Sequence, residues 1–236
     1  MPITTVPDHA AVAVPAIERA AARWHDELGG AWLGPRFDLG QAGFATRQLQ
    51  YPGGAKLELL EPVDPEGFAA RFLARRGAGL HHITLKVPDL LAAVDEVRGQ
   101  GLDVVDVFAE GDVWHEAFLR PSQIGGLIVQ LAWQGRSDEE WAELMDVTPE
   151  PIRDDGARLR GPTLSHPDLD ASAHTWGVLG ARVEHRGDHL DVRWSDAPLS
   201  VRIVAGEQAR SLGLRFKGAP ALPRDPELGA ATIPVF

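Results

Sequence analysis

Three apolar segments along the chain are each followed by a proline and then by a helical pattern of apolar positions. They cover residues 9–15 (HAAVAVP), 82–88 (HITLKVP) and, more weakly, 161–167 (GPTLSHP). Proline is tolerated at the start of a helix, because the N–H group that it lacks would be unpaired there. Each segment therefore predicts a short strand, a turn and a helix of about ten residues.

Strand-like stretches separated by Gly, Pro and Asp follow each predicted helix. The last of these stretches covers residues 56–60 in the first repeat, 127–131 in the second and 200–204 in the third. Each repeat is thus predicted to be β-α-β-β-β. The fold class that follows is α+β, with tandem βαβββ modules and a third, degenerate module.

The repeats also predict the domain organisation. Two paired modules make up residues 6–134, and a charged linker follows them. A third, degenerate module and a Pro- and Gly-rich irregular tail complete the chain. The boundaries are 6–62 and 79–134 for the paired modules, 135–157 for the linker, 158–218 for the third module and 219–236 for the tail.

Composition restricts the partners and the kind of metal site. The 236 residues include 34 acidic and 23 basic side chains and no cysteine, with a net charge of −11. That charge argues against a nucleic-acid partner, and the absence of cysteine excludes thiolate ligands. The chain start does not have the pattern of a signal peptide, and no apolar run is long enough to span a membrane. We therefore expect a cytoplasmic protein with no membrane partner.

The first two repeats carry matching polar residues. His9 and His82 each stand six residues before the aligned proline, and Glu58 and Gln130 occupy matching places in the last strands. If the two modules pack as pseudo-twofold partners, these four side chains converge. Imidazole and oxygen ligands of this kind suit Fe, Co, Ni, Zn or Mn. The repeat therefore predicts a site for a divalent metal ion whose identity it leaves open.

Each of these residues also has a simpler interpretation. A single histidine in an apolar strand is more often a hydrogen-bonded core residue than a ligand. A glutamate between leucines is more often directed to solvent. The metal hypothesis depends on the fact that both pairs occupy equivalent places in a repeat.

Three further residues are candidates for contacts with a substrate. His115 is predicted as an acid or a substrate contact, and Trp114 as part of the pocket wall that binds substrate. Arg47 could bind a carboxylate or phosphate, because a guanidinium offers a bidentate fork. A solvent-facing histidine, a core tryptophan and a surface ion pair are the alternatives.

Several motifs resemble those of a known family. They are GLHHITLKVPD (79–89), FLRPS (118–122) and GGLIVQL (125–131), together with DHAAVAV (8–14) and LELLEP (57–62). Over residues 6–134 the chain resembles methylmalonyl-CoA epimerases. These belong to the vicinal oxygen chelate superfamily, with glyoxalase I, extradiol dioxygenases and bleomycin-resistance proteins. The resemblance implies curved open sheets around a metal ion that is bound by His9, Glu58, His82 and Gln130.

Two departures from the family pattern change the expected chemistry. Gln130 stands where the family usually has a glutamate, and an amide cannot act as a base. Arg47, beside Gln48, stands where epimerases have a second glutamate. We therefore expect a lyase or isomerase in which Glu58 alone moves a proton next to a chelated carbonyl of a small molecule. The alternatives are a non-catalytic small-molecule-binding protein of the resistance type and an iron-dependent extradiol-type dioxygenase.

The third repeat lacks the ligands. Gly161 replaces the histidine, and Arg202 falls near the glutamate position, so no second metal centre is expected. The apolar face of an unpaired module has to be covered, and either the first two modules or a copy of the third module in another chain can cover it. We predict the second arrangement, a homodimer, because the third module has no partner module within its own chain.

Overall fold

The computed structural model describes residues 1–235, which form open sheets of nine and six strands together with short helices. The strands are β1 (Val6–Ala13), β2 (Ala31–Trp32), β3 (Phe37–Leu39), β4 (Phe44–Gln50), β5 (Lys56–Pro62), β6 (Gly79–Lys86), β7 (Val104–Phe108), β8 (Trp114–Leu119), β9 (Ile128–Gln134), β10 (Arg158–His166), β11 (Arg182–His185), β12 (His189–Arg193), β13 (Val201–Ala205), β14 (Arg210–Lys217) and β15 (Thr232–Val235). The helices are α1 (Ile17–Ala21), α2 (Phe68–Arg76), α3 (Leu90–Gly99), α4 (Pro121–Ile124), α5 (Asp138–Leu144) and α6 (Leu169–Val178). A π-helical turn (Ala22–Glu27) continues α1, and a 3-10 turn (Gly40–Ala42) precedes β4. The predicted α+β class is confirmed.

The chain divides into two compact units. Unit 1 consists of Met1–His9, His82–Ser137 and Gly161–Leu212, and unit 2 consists of Ala10–His81, Asp138–Arg160 and Gly213–Phe236. The boundaries fall within β1, β6, β10 and β14, so each of these four strands contributes residues to both units. Within the described residues, no helix is long and apolar enough to cross a membrane.

The second repeat forms one βαβββ module, which lies in unit 1 from His82 onward. Its strands are ordered β6-β9-β8-β7, with β6 parallel to β9 and the other neighbours antiparallel. Helix α3 begins after Asp89, whose side chain accepts a hydrogen bond from the Ala92 N–H, and it buries an apolar face that includes Val94 and Val97. The register places Thr84 and Phe118 on either side of Gln130. Polar positions two residues apart on these strands therefore share one face of the module.

The third repeat forms β10, α6, β11, β12 and β13 in the same order of elements. Strand β10 is parallel to β13, with Thr163 opposite Arg202, and β11, β12 and β13 are antiparallel neighbours. Asp168 caps α6 as Asp89 caps α3, and Trp176 of α6 is fully buried. Arg202 donates two hydrogen bonds to the buried Asp191 carboxylate. Asp191 and Arg202, which are direct partners in the pairing of β12 with β13, therefore form an ion pair on one face of the third repeat.

From Ala10 onward the first repeat lies in unit 2, where β4 pairs with β2, β3 and β5. The fully buried Trp24 anchors the C-terminal segment, because its indole N–H donates to the Leu228 carbonyl over 2.7 Å. Gly229, with φ of +104°, fits against β1, and a Cβ there would lie 2.6 Å from a Val12 methyl group. The sequence predicted irregular backbone for 219–236, and strand β15 lies within this range and pairs with β14.

The segment that joins the second and third repeats is hydrogen-bonded to β2. The Glu150 N–H donates to the Trp32 carbonyl, and the Trp32 N–H donates to the Glu150 carboxylate. The other partner of that carboxylate is His25, at 2.9 Å. Burial works against protonation of His25, but its hydrogen bonds to Asp26 and Glu150 raise its pKa. Burial of Glu150 is likewise outweighed by its bonds to Trp32 and His25, which lower its pKa.

Candidate metal centre

His9, on β1, is oriented by a carboxylate. The ring is 3% exposed, and Nδ1 lies 2.7 Å from Asp8 Oδ2. The other Asp8 oxygen, Oδ1, forms an ion pair with Lys86 Nζ over 3.0 Å. A carboxylate can only accept, so Nδ1 carries the proton and Nε2 is the nitrogen available to a metal ion. This carboxylate–histidine arrangement is typical of histidines that bind metals.

Thr84 connects His9 to Gln130. It is fully buried on β6, and its Oγ1 lies 3.0 Å from His9 Nε2 and 2.5 Å from Gln130 Oε1. Thr84 and Gln130 are direct partners in the parallel pairing of β6 and β9. The hydroxyl therefore brings the predicted ligands His9 and Gln130 to one place in unit 1.

The Gln130 amide has a defined orientation. Its Nε2 donates to Glu116 Oε2 over 2.7 Å, and its Oε1 accepts from the Thr84 hydroxyl. A carboxylate offers no hydrogen to Oε1, so the amide nitrogen must be the atom on the Glu116 side. The side-chain oxygen of Gln130, the atom that a cation prefers, therefore lies on the side of Thr84 and His9.

The neighbouring histidines of β6 have different surroundings. The His82 ring is 5% exposed and packs edge-on against the His9 ring, with 5.5 Å between centroids. His81 packs against Phe72 and Phe68 on the other face of the strand. Burial lowers the pKa of His81 to about 4, although the charge of Glu58 opposes the shift. His81 is therefore a neutral ring among aromatic side chains at neutral pH.

Glu58 is buried on β5, in unit 2. It is paired with Gln48 in the β4–β5 register, and its Oε1 accepts a 2.7 Å hydrogen bond from the Thr46 hydroxyl. Thr46 and Gln48 alternate with Arg47, so they share the face that bears Glu58. The Thr46 bond fixes the direction of the carboxylate.

One nitrogen of each histidine, His9 and His82, and a carboxylate oxygen of Glu58 all lie within 4.8 Å of one another. Two ligand atoms that each lie about 2.1 Å from one divalent ion are about 3–4 Å from each other. The distances between these three ligand atoms are therefore close to those in a site that holds an ion. Two imidazoles and a carboxylate are a suitable donor set for Fe, Co, Ni, Zn or Mn. The three residues therefore fit a divalent metal ion, and Gln130 adds a further oxygen beside His9.

The other predicted residues, His115, Trp114 and Arg47, bond to or pack against groups outside this cluster. His115 Nε2 bonds to the Gly111 carbonyl, and the ring packs on Trp133 with 4.5 Å between centroids. Trp114 donates its indole N–H to Glu116. Arg47 donates to the Gly34 carbonyl and lies 3.9 Å above the Trp32 ring, on the face of β4 opposite Gln48.

Four polar residues around the cluster were not predicted from the sequence. Thr84 stands two residues after His82, so alternation could have identified it, whereas alternation assigns Asp8, the neighbour of His9, to the opposite face. Glu116 is the neighbour of His115 on β8, and alternation alone leaves open which of the two shares the face of Gln130. The β8–β9 register decides this, because Glu116 is paired with Ala132 and His115 with Trp133. The fourth is Thr46, whose side chain bonds Glu58.

Comparison with known proteins gives a consistent result. The model of the glyoxalase/bleomycin resistance protein/dioxygenase superfamily matches residues 8–118. The ethylmalonyl-CoA/methylmalonyl-CoA epimerase of Cereibacter sphaeroides is 35% identical over 130 residues, which are 52% of this chain and 94% of that protein. The human mitochondrial methylmalonyl-CoA epimerase is 33% identical, over 52% of this chain and 71% of that protein.

Solved structures extend the likeness. The methylmalonyl-CoA epimerase of Mycobacterium tuberculosis is 27% identical with a TM-score of 0.51, over 58% of this chain and 92% of that one. A hypothetical protein from Staphylococcus aureus is 13% identical with a TM-score of 0.68, over 99% of this chain and 100% of that one. This last match shows the fold alone, but it covers all three repeats.

The βαβββ modules define the class of vicinal oxygen chelate folds, and the buried side chains of His9, Glu58 and His82 could hold a metal ion of the kind expected there. The chain belongs to the glyoxalase/bleomycin resistance protein/dioxygenase superfamily, with methylmalonyl-CoA epimerases among its homologues. The resemblance inferred from the motifs is confirmed.

Proposed function

We propose that this protein is a divalent-metal-dependent isomerase or lyase that moves a proton on the carbon next to a carbonyl group of a small molecule. The observation that carries the proposal is the buried cluster of His9, Glu58 and His82, whose ligand atoms lie within 4.8 Å of one another. The only carboxylate of that cluster is also the candidate base. Homology to epimerases supports the same class of reaction.

The metal ion would be held by His9, Glu58, His82 and the side-chain oxygen of Gln130. When bound, a divalent ion polarises a carbonyl oxygen as a Lewis acid and stabilises the negative charge that develops when the neighbouring C–H loses its proton. Asp8 keeps the Nδ1 proton of His9 in place, so that Nε2 is the ligand atom. The Thr84 hydroxyl donates a hydrogen bond to the Gln130 oxygen.

Glu58 is the residue that would accept and return the proton. Its Oε1 is oriented by Thr46, and a carboxylate that is held in one direction transfers a proton efficiently to or from a fixed position. Gln130 cannot serve as a second base, because an amide does not take up a proton at neutral pH. We therefore propose a one-base mechanism, in which the same carboxylate removes and returns the proton.

The names of the relatives indicate the first substrates to test. Methylmalonyl-CoA and ethylmalonyl-CoA carry an exchangeable proton between two carbonyl groups, and the relatives are named as epimerases of these thioesters. We propose an acyl thioester or a similar small carbonyl compound as the substrate class. Trp114 is a proposed substrate contact on the face of Gln130. Arg47 and His115 are also proposed contacts, but the strand registers place them on the faces opposite Gln48 and Glu116.

The test is proton exchange by the full chain. The protein is stripped of metal, reloaded separately with Fe, Co, Ni, Mn or Zn, and incubated with methylmalonyl-CoA in D₂O. Loss of the α-proton signal in the NMR spectrum, at a rate that depends on the metal, is expected. The hemithioacetal of methylglyoxal and glutathione is the second probe. Stoichiometric metal binding without exchange of either probe would favour the non-catalytic binding protein.

An iron-dependent dioxygenase is a second candidate, because the same cluster contains two histidines and one carboxylate. Iron oxygenases often bind Fe(II) with this set of ligands and leave the remaining positions open. Oxygen consumption by the Fe(II)-loaded protein with catechol would support this function. Proton exchange without oxygen consumption would exclude it in favour of the isomerase.

A further inference from the structure

Glu116 lies on β8, outside the predicted ligand set, but it holds the side chain of Gln130. We propose that Glu116 is a positioning residue that keeps the Gln130 amide turned so that its oxygen, and not its nitrogen, is available to a divalent metal ion. The inference rests on the proposed metal site and adds to it a determinant of metal affinity on a strand that supplies no ligand.

The first argument is the direction of the hydrogen bonds. Gln130 Nε2 lies 2.7 Å from Glu116 Oε2, and Gln130 Oε1 lies 2.5 Å from Thr84 Oγ1. The two ends of a glutamine amide have nearly the same shape, and its terminal torsion has a broad, roughly two-fold preference. Thr84 does not select an orientation, because a hydroxyl can both donate and accept. Glu116 does select one, because a carboxylate accepts from the NH₂ group and cannot pair with the oxygen.

The second argument is that Glu116 is itself held in place. The Trp114 indole N–H donates to the same oxygen, Oε2, over 2.9 Å. In the β8–β9 register Gln130 is opposite Phe118, so Glu116 is a diagonal neighbour of Gln130 on the same face. Long side chains on diagonal positions are within reach of each other. The carboxylate therefore has a fixed position from which it can act on Gln130.

The consequence is a defined change in metal affinity. With Glu116 replaced by leucine, the amide is free to turn its NH₂ group toward Thr84, and an NH₂ group cannot bind a cation. Loss of such an outer partner typically lowers metal affinity about 10–100-fold. Glu116→Gln keeps an oxygen that can accept from Gln130, so its metal affinity should stay within about threefold of that of the original protein, a smaller change than the loss expected for Glu116→Leu.

The experiment is a double-mutant cycle on metal binding, measured by calorimetry and by visible absorption of the Co(II)-loaded full chain. The variants are Glu116→Leu, Glu116→Gln, Gln130→Ala and the combination of Glu116→Leu with Gln130→Ala. Glu116→Leu is expected to lose about 10–100-fold in Co(II) affinity and to change the absorption bands, as Gln130→Ala does. In the double variant, Glu116→Leu should cost nothing further, because Gln130 is the residue through which Glu116 acts.

Controls separate this role from a structural one. Glu110→Leu removes an exposed carboxylate of the same unit and should leave Co(II) affinity unchanged. Trp114→Phe removes one of the two donors to Glu116 and should cause a smaller loss than Glu116→Leu. It tests the inference even if Glu116→Leu does not fold.

The possible failures are distinguishable. If the original protein binds no metal ion, both the proposed function and the inference are wrong. If it binds Co(II) and Glu116→Leu binds equally well, the inference alone is overturned. An equal loss from Glu116→Leu with and without Gln130 also overturns it, because Glu116 would then not act through the amide.

Discussion

Replacement of Glu58 by glutamine tests the one-base mechanism directly. The two side chains have the same shape, and the amide oxygen of the variant can still accept the hydrogen bond that Thr46 donates over 2.7 Å. The change in folding free energy should therefore be no more than about 1 kcal/mol. A positioned general base contributes about 10²–10⁴ in rate. Loss of that contribution raises the activation free energy by about 3–5.5 kcal/mol.

The assay is α-proton exchange in D₂O, at metal concentrations that saturate the variant. Saturation is necessary because exchange of a charged ligand for a neutral one weakens metal binding as well. Glu61→Gln, on the same strand, is the matched control. Glu61 accepts from the Ile17 N–H at the start of α1, and its replacement should leave exchange unchanged. If the saturated Glu58→Gln variant keeps more than about a tenth of the original exchange rate, Glu58 is not the base, since this loss lies below the expected range.

Three further predictions concern metal binding and stability. Asp8→Asn should weaken metal binding about 10-fold in calorimetry, because the amide orients His9 less firmly than the carboxylate does. Gly229→Ala should lower the unfolding free energy by about 2–4 kcal/mol, and the melting temperature accordingly, because it combines positive φ with a close contact. Glu150→Gln should lower the melting temperature most between about pH 4.5 and 6.5. The pKa of His25 is raised in the folded protein, so its stabilising effect is lost as the pH rises through that raised pKa. The pKa of Glu150 is lowered in the folded protein, so its stabilising effect is lost as the pH falls through that lowered pKa.

Each of these predictions has a control or a contradicting result. Gly53 has φ of +92° and no atom near the place of a Cβ, so Gly53→Ala measures the backbone strain without the contact. If Gly53→Ala lowers the unfolding free energy as much as Gly229→Ala does, the contact with β1 is unimportant. Equal metal affinity of Asp8→Asn and the original protein would contradict the orienting role of Asp8. A melting difference for Glu150→Gln that is the same at pH 5.5 and 8 would exclude coupling to His25.

The predicted homodimer is checked by light scattering of the purified full chain. A mass of about twice the 25.5 kDa of one chain would confirm it. A single-chain mass at micromolar concentration would show that the third repeat needs no second copy to cover its apolar face.

The parts of the site that were predicted from the sequence depend on periodicity. His9 and His82 occupy the same place in two repeats, and so do Glu58 and Gln130, and a repeat preserves position in a strand whatever the packing. The absence of cysteine restricted the donors to imidazole and oxygen before any strand was placed. The α+β class followed from the same repeats, because strand and helix periods differ and are visible along the chain.

Side chains along a strand point alternately to its two faces, so one of two neighbouring residues faces a given site. The sequence alone does not show which of the two it is. The pairing of β8 with β9 decided for Glu116, and the pairing of β6 with β9 brought Thr84 to Gln130. These contacts join residues that are far apart in the chain, so they depend on strand register, which the local pattern leaves open. The sequence by itself thus determined the module type and the residues that could bind a metal ion. Only the tertiary structure decided which polar side chains orient them, because a hydrogen bond requires two atoms within about 3 Å.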